Sequence, residues 1–88
     1  MSDVLVKDGC IRPISPMNGR RYTLVELQGL VDGYIEKVDL GEKWLVFDED
    51  GKVKGKLVNS IGTGWLRTVD AGGYLCGTVL LIGKERWG

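Results

Sequence analysis

The stretch from Tyr22 to Gly33 specifies an α-helix through its own local chemistry. Thr23 is a favourable N-cap residue, and Glu26 is spaced to accept a hydrogen bond from the Thr23 N–H, as in a capping box. Tyr22 and Leu27 have the spacing of a hydrophobic staple, which fixes the direction in which the chain enters a helix. Gly33 is the residue at which such a helix ends. We therefore expect this helix to organise the packing of the rest of the chain.

The remaining sequence alternates short apolar runs with turn-forming residues, which indicates β-strands. Asp8-Gly9 is a strong hairpin signal, and Pro13 places its strand at a sheet edge because proline has no N–H to donate. The runs that can form strands are 4–6, 10–14, 34–40, 43–47, 52–58 and 74–82, of which we expect four or five to pair in the sheet. These patterns predict an α+β fold in a single domain, residues 1–88. Its sheet is mostly antiparallel, with about four or five strands, and one main helix packs on one face.

Two further segments are less regular. Asn59 can cap a short second helical turn near residues 59–66, but Gly62 and Gly64 each disfavour a helix by about 1 kcal/mol. Residues 83–88 are expected to form a frayed tail.

The size of the predicted helix suggests self-association. A helix of about nine residues is about 13 Å long, so it covers only part of one sheet face. The runs 43–47 and 74–82 are rich in apolar residues and leave a second face to be covered. Apolar area of that extent is usually buried against something, so we expect a homo-oligomer.

Composition narrows the classes of function. The 12 basic and 12 acidic residues give no net charge, so we do not expect the chain to bind nucleic acid. No run is long enough to span a membrane, and residues 1–3 do not begin a signal peptide, so we expect a cytoplasmic protein. The sequence has no histidine and no metal-ligand spacing of its two cysteines. We therefore expect no cofactor, no metal and no enzymatic activity.

Several polar residues are candidates for a binding site. Glu36 stands on an otherwise apolar strand face, where a carboxylate is paired, exposed at an edge, or used to accept hydrogen bonds from a ligand. Lys52, Lys54 and Lys56 recur at every second position, either as charges that protect a sheet edge or as an anion-binding stripe.

The segment 59–67 combines glycines, hydroxyls, Trp65 and an arginine, either as a packed connection or as an anion-binding loop. The residues that we expect to bind a ligand are Tyr34, Glu36, Asn59, Thr63 and Arg67, with Arg20 and Lys54 facing the phosphates if the ligand is a nucleotide.

Several motifs together resemble a family of small proteins of unknown function found in phages, plasmids and other mobile elements. The motifs are Tyr22-Thr23-Leu24 with Glu26-Leu27-Gln28, Val31-x-Gly33-Tyr34-Ile35-Glu36, the acidic turn closing on Gly51, Asn59 with Thr63, and Gly77-Thr78-Val79-Leu80. The resemblance implies a genetic context more than a mechanism.

In that context we expect a counter-defence protein of the host-cell cytoplasm that sequesters a nucleotide-type signal molecule. The alternative is an inhibitor or adaptor that binds a host or defence protein directly through a sheet face or an edge strand.

Overall fold

Five antiparallel strands form one sheet in the order β2-β1-β5-β4-β3 in the computed structural model, which describes residues 3–87. The elements in chain order are β1 (Asp3–Lys7), β2 (Cys10–Ile14), α1 (Leu24–Val31), β3 (Ile35–Asp39), β4 (Lys43–Asp48), α2 (Ser60–Leu66), β5 (Val79–Gly83) and a 3-10 turn (Lys84–Arg86). The predicted α+β class and the antiparallel sheet are confirmed.

The β1–β2 hairpin turns at the predicted dipeptide. Asp8 and Gly9 have φ angles of 52° and 77°, the left-handed conformation that a tight hairpin turn requires at both positions. The strand that carries Pro13 lies at the edge of the sheet, beside β1 alone, as its missing N–H predicted.

One face of the sheet is covered by α1. Leu27 and Val31 of this helix are fully buried in a cluster with Val46 and Leu80 of the central strands. The N-cap is as predicted, since the Glu26 N–H donates to Thr23 Oγ1 over 3.1 Å. The Glu26 carboxylate, however, accepts from the Met17 N–H at 2.9 Å rather than from Thr23, so the reciprocal half of the capping box is replaced by a tether to the preceding loop.

The end of α1 differs from the prediction by one residue. Asp32 has a φ of 58° and is the left-handed C-cap, and the Gly33 N–H donates to the Gln28 carbonyl at 3.2 Å. Glycine is the usual residue at a left-handed helix end, so the backbone here holds an aspartate where the sequence suggested a glycine.

The second face is covered by α2, which the sequence suggested only as a short turn. Leu66 packs with Leu75 and with residues of β4 and β5 in a second apolar cluster. Gly62 makes this possible, because a Cβ at that position would lie 2.7 Å from Val79 Cγ2. Gly62 has a low intrinsic helix propensity, but its missing side chain is what lets α2 approach the sheet. We expected a homo-oligomer because one helix would leave the second sheet face uncovered. Since α2 covers that face, this argument no longer applies, and self-association stays a prediction.

The predicted strand 52–58 is wrong. The chain forms successive turns through Gly55, whose φ is 73°, and only Val58 makes an isolated bridge, to Cys76. Val53 and Leu57, the apolar residues that a half-buried strand here would place in the core, are 87% and 78% exposed. The predicted strand 74–82 is likewise shorter, and begins at Val79.

The end of the chain is held in place over the residues that the structure describes, in contrast to the expected fraying of 83–88. The Tyr22 N–H donates to the Arg86 carbonyl at 2.7 Å, and Trp44 Nε1 donates to the Trp87 carbonyl at 3.0 Å. Asp3 accepts hydrogen bonds from the Tyr22 hydroxyl at 3.0 Å and from the Gly83 N–H at 2.9 Å, so it links the start of β1 to the end of β5. Gly88 lies outside the described residues.

Neither α1 nor α2 combines the length and the apolar character needed to cross a membrane.

Candidate functional site

A buried carboxylate gathers two lysines at the end of α1, in a group that we name the Asp48 cluster (Asp48, Lys54 and Lys56). The Asp48 side chain is inaccessible to solvent, and its Oδ2 lies 2.9 Å from Lys54 Nζ and 2.7 Å from Lys56 Nζ. Burial by itself raises the pKa of Asp48, but hydrogen bonds from Lys56, Lys54 and the Asp50 N–H outweigh it and lower the pKa to about 2. The hydrogen bond to Asp48 is the main reason that the pKa of Lys54 is raised.

The same ammonium groups also close the C-terminal end of α1. Lys56 Nζ donates to the carbonyls of Val31 and Asp32 at 3.0 and 2.9 Å, and Lys54 Nζ donates to the Asp32 carbonyl at 3.2 Å. Positive charge is favourable there, because the last carbonyls of a helix carry its negative dipole end. With Asp48 included, all three N–H donors of Lys56 have partners. Two of the three lysines expected either to protect a sheet edge or to bind anions, Lys54 and Lys56, are therefore held by contacts within the fold.

A groove of about 370 Å³ opens beside this cluster. It is lined by the β1–β2 turn (7–9), the end of α1 (31–32), the segment 56–61 and the residues leading into β5 (77–78). These segments are far apart in sequence, and they meet where β1 ends and β5 begins. The groove is small for a ligand pocket but lies within the usual range.

Thr78 lies in this groove with an unused hydroxyl. The residue is only 8% exposed, yet its side chain makes no hydrogen bond within residues 3–87. No side-chain polar atom in that range is both fully enclosed and unpartnered, so the Thr78 hydroxyl keeps its contact with solvent, through the groove that it lines. Buried hydroxyls normally find a partner, and this one is free to bind a ligand.

Two aspartates line the same groove in unusual backbone conformations. Within the described residues, Asp8 and Asp32 are the non-glycine residues with positive φ, and both are exposed. A hairpin turn and a helix end explain the backbone conformations, but glycine or asparagine would meet the same requirement. Neither carboxylate forms an ion pair within the described chain, so the choice of aspartate places two exposed carboxylates at the groove.

Two of the predicted site residues have their polar groups occupied by the fold. Asn59 Oδ1 accepts from the Gly62 N–H at 2.8 Å as the N-cap of α2, and its Nδ2 donates to the carbonyls of Val6 and Gly77 at 3.0 and 2.9 Å. Thr63 Oγ1 accepts from the Leu75 N–H at 3.0 Å. Both residues are buried; Asn59 fastens α2 to β1, and Thr63 fastens it to the segment that leads into β5.

The other predicted residues lie in separate places. Tyr34 and Lys54 share a shallow depression beside the exposed side of α1, whereas Glu36 lines a different one on the face of α2. Arg67 Nε donates to the Gly73 carbonyl at 3.1 Å, and the Arg20 carbonyl accepts from Arg86 Nη1 at 3.4 Å. Of the predicted set, Asn59 alone borders the groove.

A family model described as "Domain of unknown function (DUF3846)" matches residues 3–88. The chain belongs to this family. The match confirms the expected resemblance to an uncharacterised family across nearly the whole chain. Comparison with curated proteins and with solved structures found no match.

The groove of this DUF3846 member depends on residues that sequence reasoning passed over. Asp8 was interpreted only as a turn former, and Asp32 only as the residue before a glycine. Thr78 was assigned to the interior of a long strand. One signal in the sequence was usable: Asp8 and Asp32 each precede a glycine at a turn or helix end, where aspartate tolerates the left-handed conformation and adds a carboxylate.

The described residues contain no group of three or more Cys, Asp or Glu side chains arranged to hold a metal ion. The uncommitted polar side chains of the groove are the carboxylates of Asp8 and Asp32, the ammonium group of Lys7 and the hydroxyls of Ser60 and Thr78, which suit binding.

Proposed function

We propose that the protein is a non-enzymatic accessory protein of a phage or another mobile element, and that it acts by binding a host or defence protein through the groove. The observation that carries this proposal is the Thr78 hydroxyl, which belongs to a residue only 8% exposed, keeps its contact with solvent through the groove and has no hydrogen-bond partner within residues 3–87. A few fixed polar groups in a mostly apolar cavity are the usual design of a binding site. The mobile-element origin rests on the resemblance of the sequence motifs.

The walls of the groove support a protein partner. Leu57 and Val58 at its rim are 78% and 59% exposed, although both are large apolar residues. Apolar side chains displayed around a groove are favourable contacts for a segment of another chain. Because α2 covers the second sheet face, we propose the groove rather than that face as the surface that binds the partner.

Sequestration of a nucleotide-type signal, the ligand class expected from the sequence, stays a prediction with less support. Phosphates need uncommitted cations, whereas Lys54 and Lys56 are held by Asp48 and by the carbonyls of α1. The free charges of the groove include Asp8 and Asp32, which repel phosphate.

A photo-crosslinking experiment in a host-cell lysate tests the proposal. A benzophenone amino acid replaces Leu57 at the groove or, as the matched control, Val69, which is 56% exposed and lies outside the groove. We expect a discrete crosslinked protein from position 57 and not from position 69. Equal labelling at both positions, or none at position 57, contradicts the proposal.

The same lysate serves to test the alternatives. Protein recovered from it is denatured, and released small molecules are identified by mass spectrometry. An intact nucleotide in stoichiometric amount supports sequestration, and a chemically altered one indicates an enzyme. Either result contradicts binding of a host protein as the main function.

A further inference from the structure

We infer that the groove recognises the side-chain ammonium group of a lysine presented by the partner protein, with the carboxylates of Asp8 and Asp32 at the rim and the Thr78 hydroxyl inside. This inference rests on the proposed function, because it names the chemistry that the groove selects.

The uncommitted groups of the groove are mainly hydrogen-bond acceptors. Asp8 and Asp32 bring carboxylates without an ion-pair partner in the described chain, and the hydroxyls of Thr78 and Ser60 make no hydrogen bond there. Lys56 also lines the groove, but its three donors are already bound to Asp48, Val31 and Asp32. A ligand that supplies several N–H donors and a positive charge complements this set.

The apolar lining suits the rest of a lysine side chain. Leu57 and Val58 display apolar side chains at the rim, and the half-buried Ile61 also lines the groove. A lysine stem of four methylene groups lies along such a surface while its ammonium group reaches polar partners. The volume of about 370 Å³ is enough for one extended side chain and its neighbouring backbone.

The charges at the rim are compatible with this ligand. In a formal sum the lining is neutral, since Lys7 and Lys56 balance Asp8 and Asp32. Lys56, however, is held at the buried Asp48 and at the carbonyls of Val31 and Asp32, whereas the carboxylates of Asp8 and Asp32 are exposed and form no ion pair within residues 3–87. These carboxylates attract a cation at the rim and repel an anion.

NMR titration of the ¹⁵N-labelled protein tests this inference with two short peptides. The first is acetyl-Gly-Lys-Gly-amide, and the second has norleucine, which keeps the carbon chain and lacks the ammonium group. We expect the lysine peptide to shift the amide signals of Gly9 and Gly77 at millimolar concentration, with an affinity about tenfold above that of the norleucine peptide at low salt. Salt at about 0.5 M should remove most of the difference.

Variants identify the groups responsible. Asp8→Asn and Asp32→Asn keep residues that tolerate positive φ, so they remove charge without forcing the backbone to change. Each should weaken binding of the lysine peptide about three- to tenfold, and Thr78→Val should weaken it severalfold. Asp70→Asn, which changes an exposed carboxylate outside the groove, is the matched control and should have no effect.

The outcomes separate this inference from the proposed function. If both peptides shift the groove signals equally, the groove binds partners without selecting an ammonium group, and only the present inference is overturned. The present inference alone is also overturned if adenosine monophosphate or spermidine binds more tightly than the lysine peptide. If no probe shifts the groove signals and position 57 captures no protein, both are overturned.

Discussion

The Asp48 cluster and the groove lie next to each other at the end of α1, and they treat their polar groups in opposite ways. In the cluster, the buried carboxylate and the Lys56 ammonium have a partner for every strong donor and acceptor position. In the groove, Thr78, Asp8 and Asp32 keep groups that no described part of the chain uses. The contrast teaches that charge in a small domain is informative about function only after the partners of each group are known. We therefore expect changes in the cluster to alter stability and changes in the groove to alter binding.

The largest effect should come from removing the charge at the centre of the cluster. Asp48→Asn leaves two ammonium groups beside a buried amide, and we expect it to lower the free energy of unfolding by about 3 kcal/mol, at the low end for a broken buried pair because Lys54 is partly exposed. Urea denaturation followed by tryptophan fluorescence measures the change. Glu49→Gln, at the exposed neighbouring residue, is the control and should cost less than about 0.5 kcal/mol. If Asp48→Asn lowers the free energy of unfolding no more than Glu49→Gln does, the cluster does not stabilise the fold.

A somewhat smaller effect should follow from Asn59→Ala. The alanine cannot cap α2, and it leaves the carbonyls of Val6 and Gly77 without the Nδ2 donor, so we expect a loss of about 2 kcal/mol. Asn59→Asp keeps the cap acceptor and loses only the donors. Chemical denaturation should therefore show the highest stability for the wild type, a lower one for Asn59→Asp and the lowest for Asn59→Ala. If Asn59→Ala is as stable as the wild type but no longer binds the partner, Asn59 belongs to the site after all.

Acid should weaken the cluster over a defined range. The folded-state pKa of Asp48 is about 2, below the ordinary value of 3.8, so its stabilising contribution is complete above about pH 4 and is lost as the pH falls through 2. The contribution amounts to about 2 kcal/mol. Stability measured from about pH 5 to pH 2 should fall more steeply for the wild-type protein than for Asp48→Asn. Parallel curves would mean that other carboxylates govern acid unfolding.

The smallest change in stability should come from the groove itself. Thr78→Val exchanges an unpartnered hydroxyl for a methyl group of similar size, so we expect the free energy of unfolding to change by less than about 0.5 kcal/mol. The same variant should lose affinity for the lysine peptide. Thermal denaturation beside the NMR titration checks both parts, and a stability loss above about 1 kcal/mol would reveal a structural partner for the hydroxyl.

The parts of the fold that sequence predicted are those decided by neighbouring residues. The turn at Asp8-Gly9, the cap at Thr23 and the edge position of Pro13 each follow from chemistry within a few residues. The segment 52–58 was misassigned because alternating lysines look like a strand. Its actual course is set by Asp48 and by the carbonyls of α1, which a local pattern does not contain.

The candidate site was harder to predict for the same reason. Asn59 and Thr63 were predicted to bind a ligand, but their side chains bond to Val6, Gly77 and Leu75, which lie far along the chain and are not visible in a local pattern. The groove forms only when segments from both ends and the middle of the sequence meet, and its key signal, the absence of a partner for Thr78, exists only in three dimensions.

Strand direction has a practical consequence for handling the protein. Asp3 fastens the start of β1 to Gly83 at the end of β5, while Lys7 and Thr78, at the opposite ends of these two antiparallel strands, line the groove. Asp3 and Gly83 thus lie at the other end of this strand pair from the groove. A label or surface linker attached at the exposed Glu85, two residues after Gly83, would therefore leave the groove free for its partner.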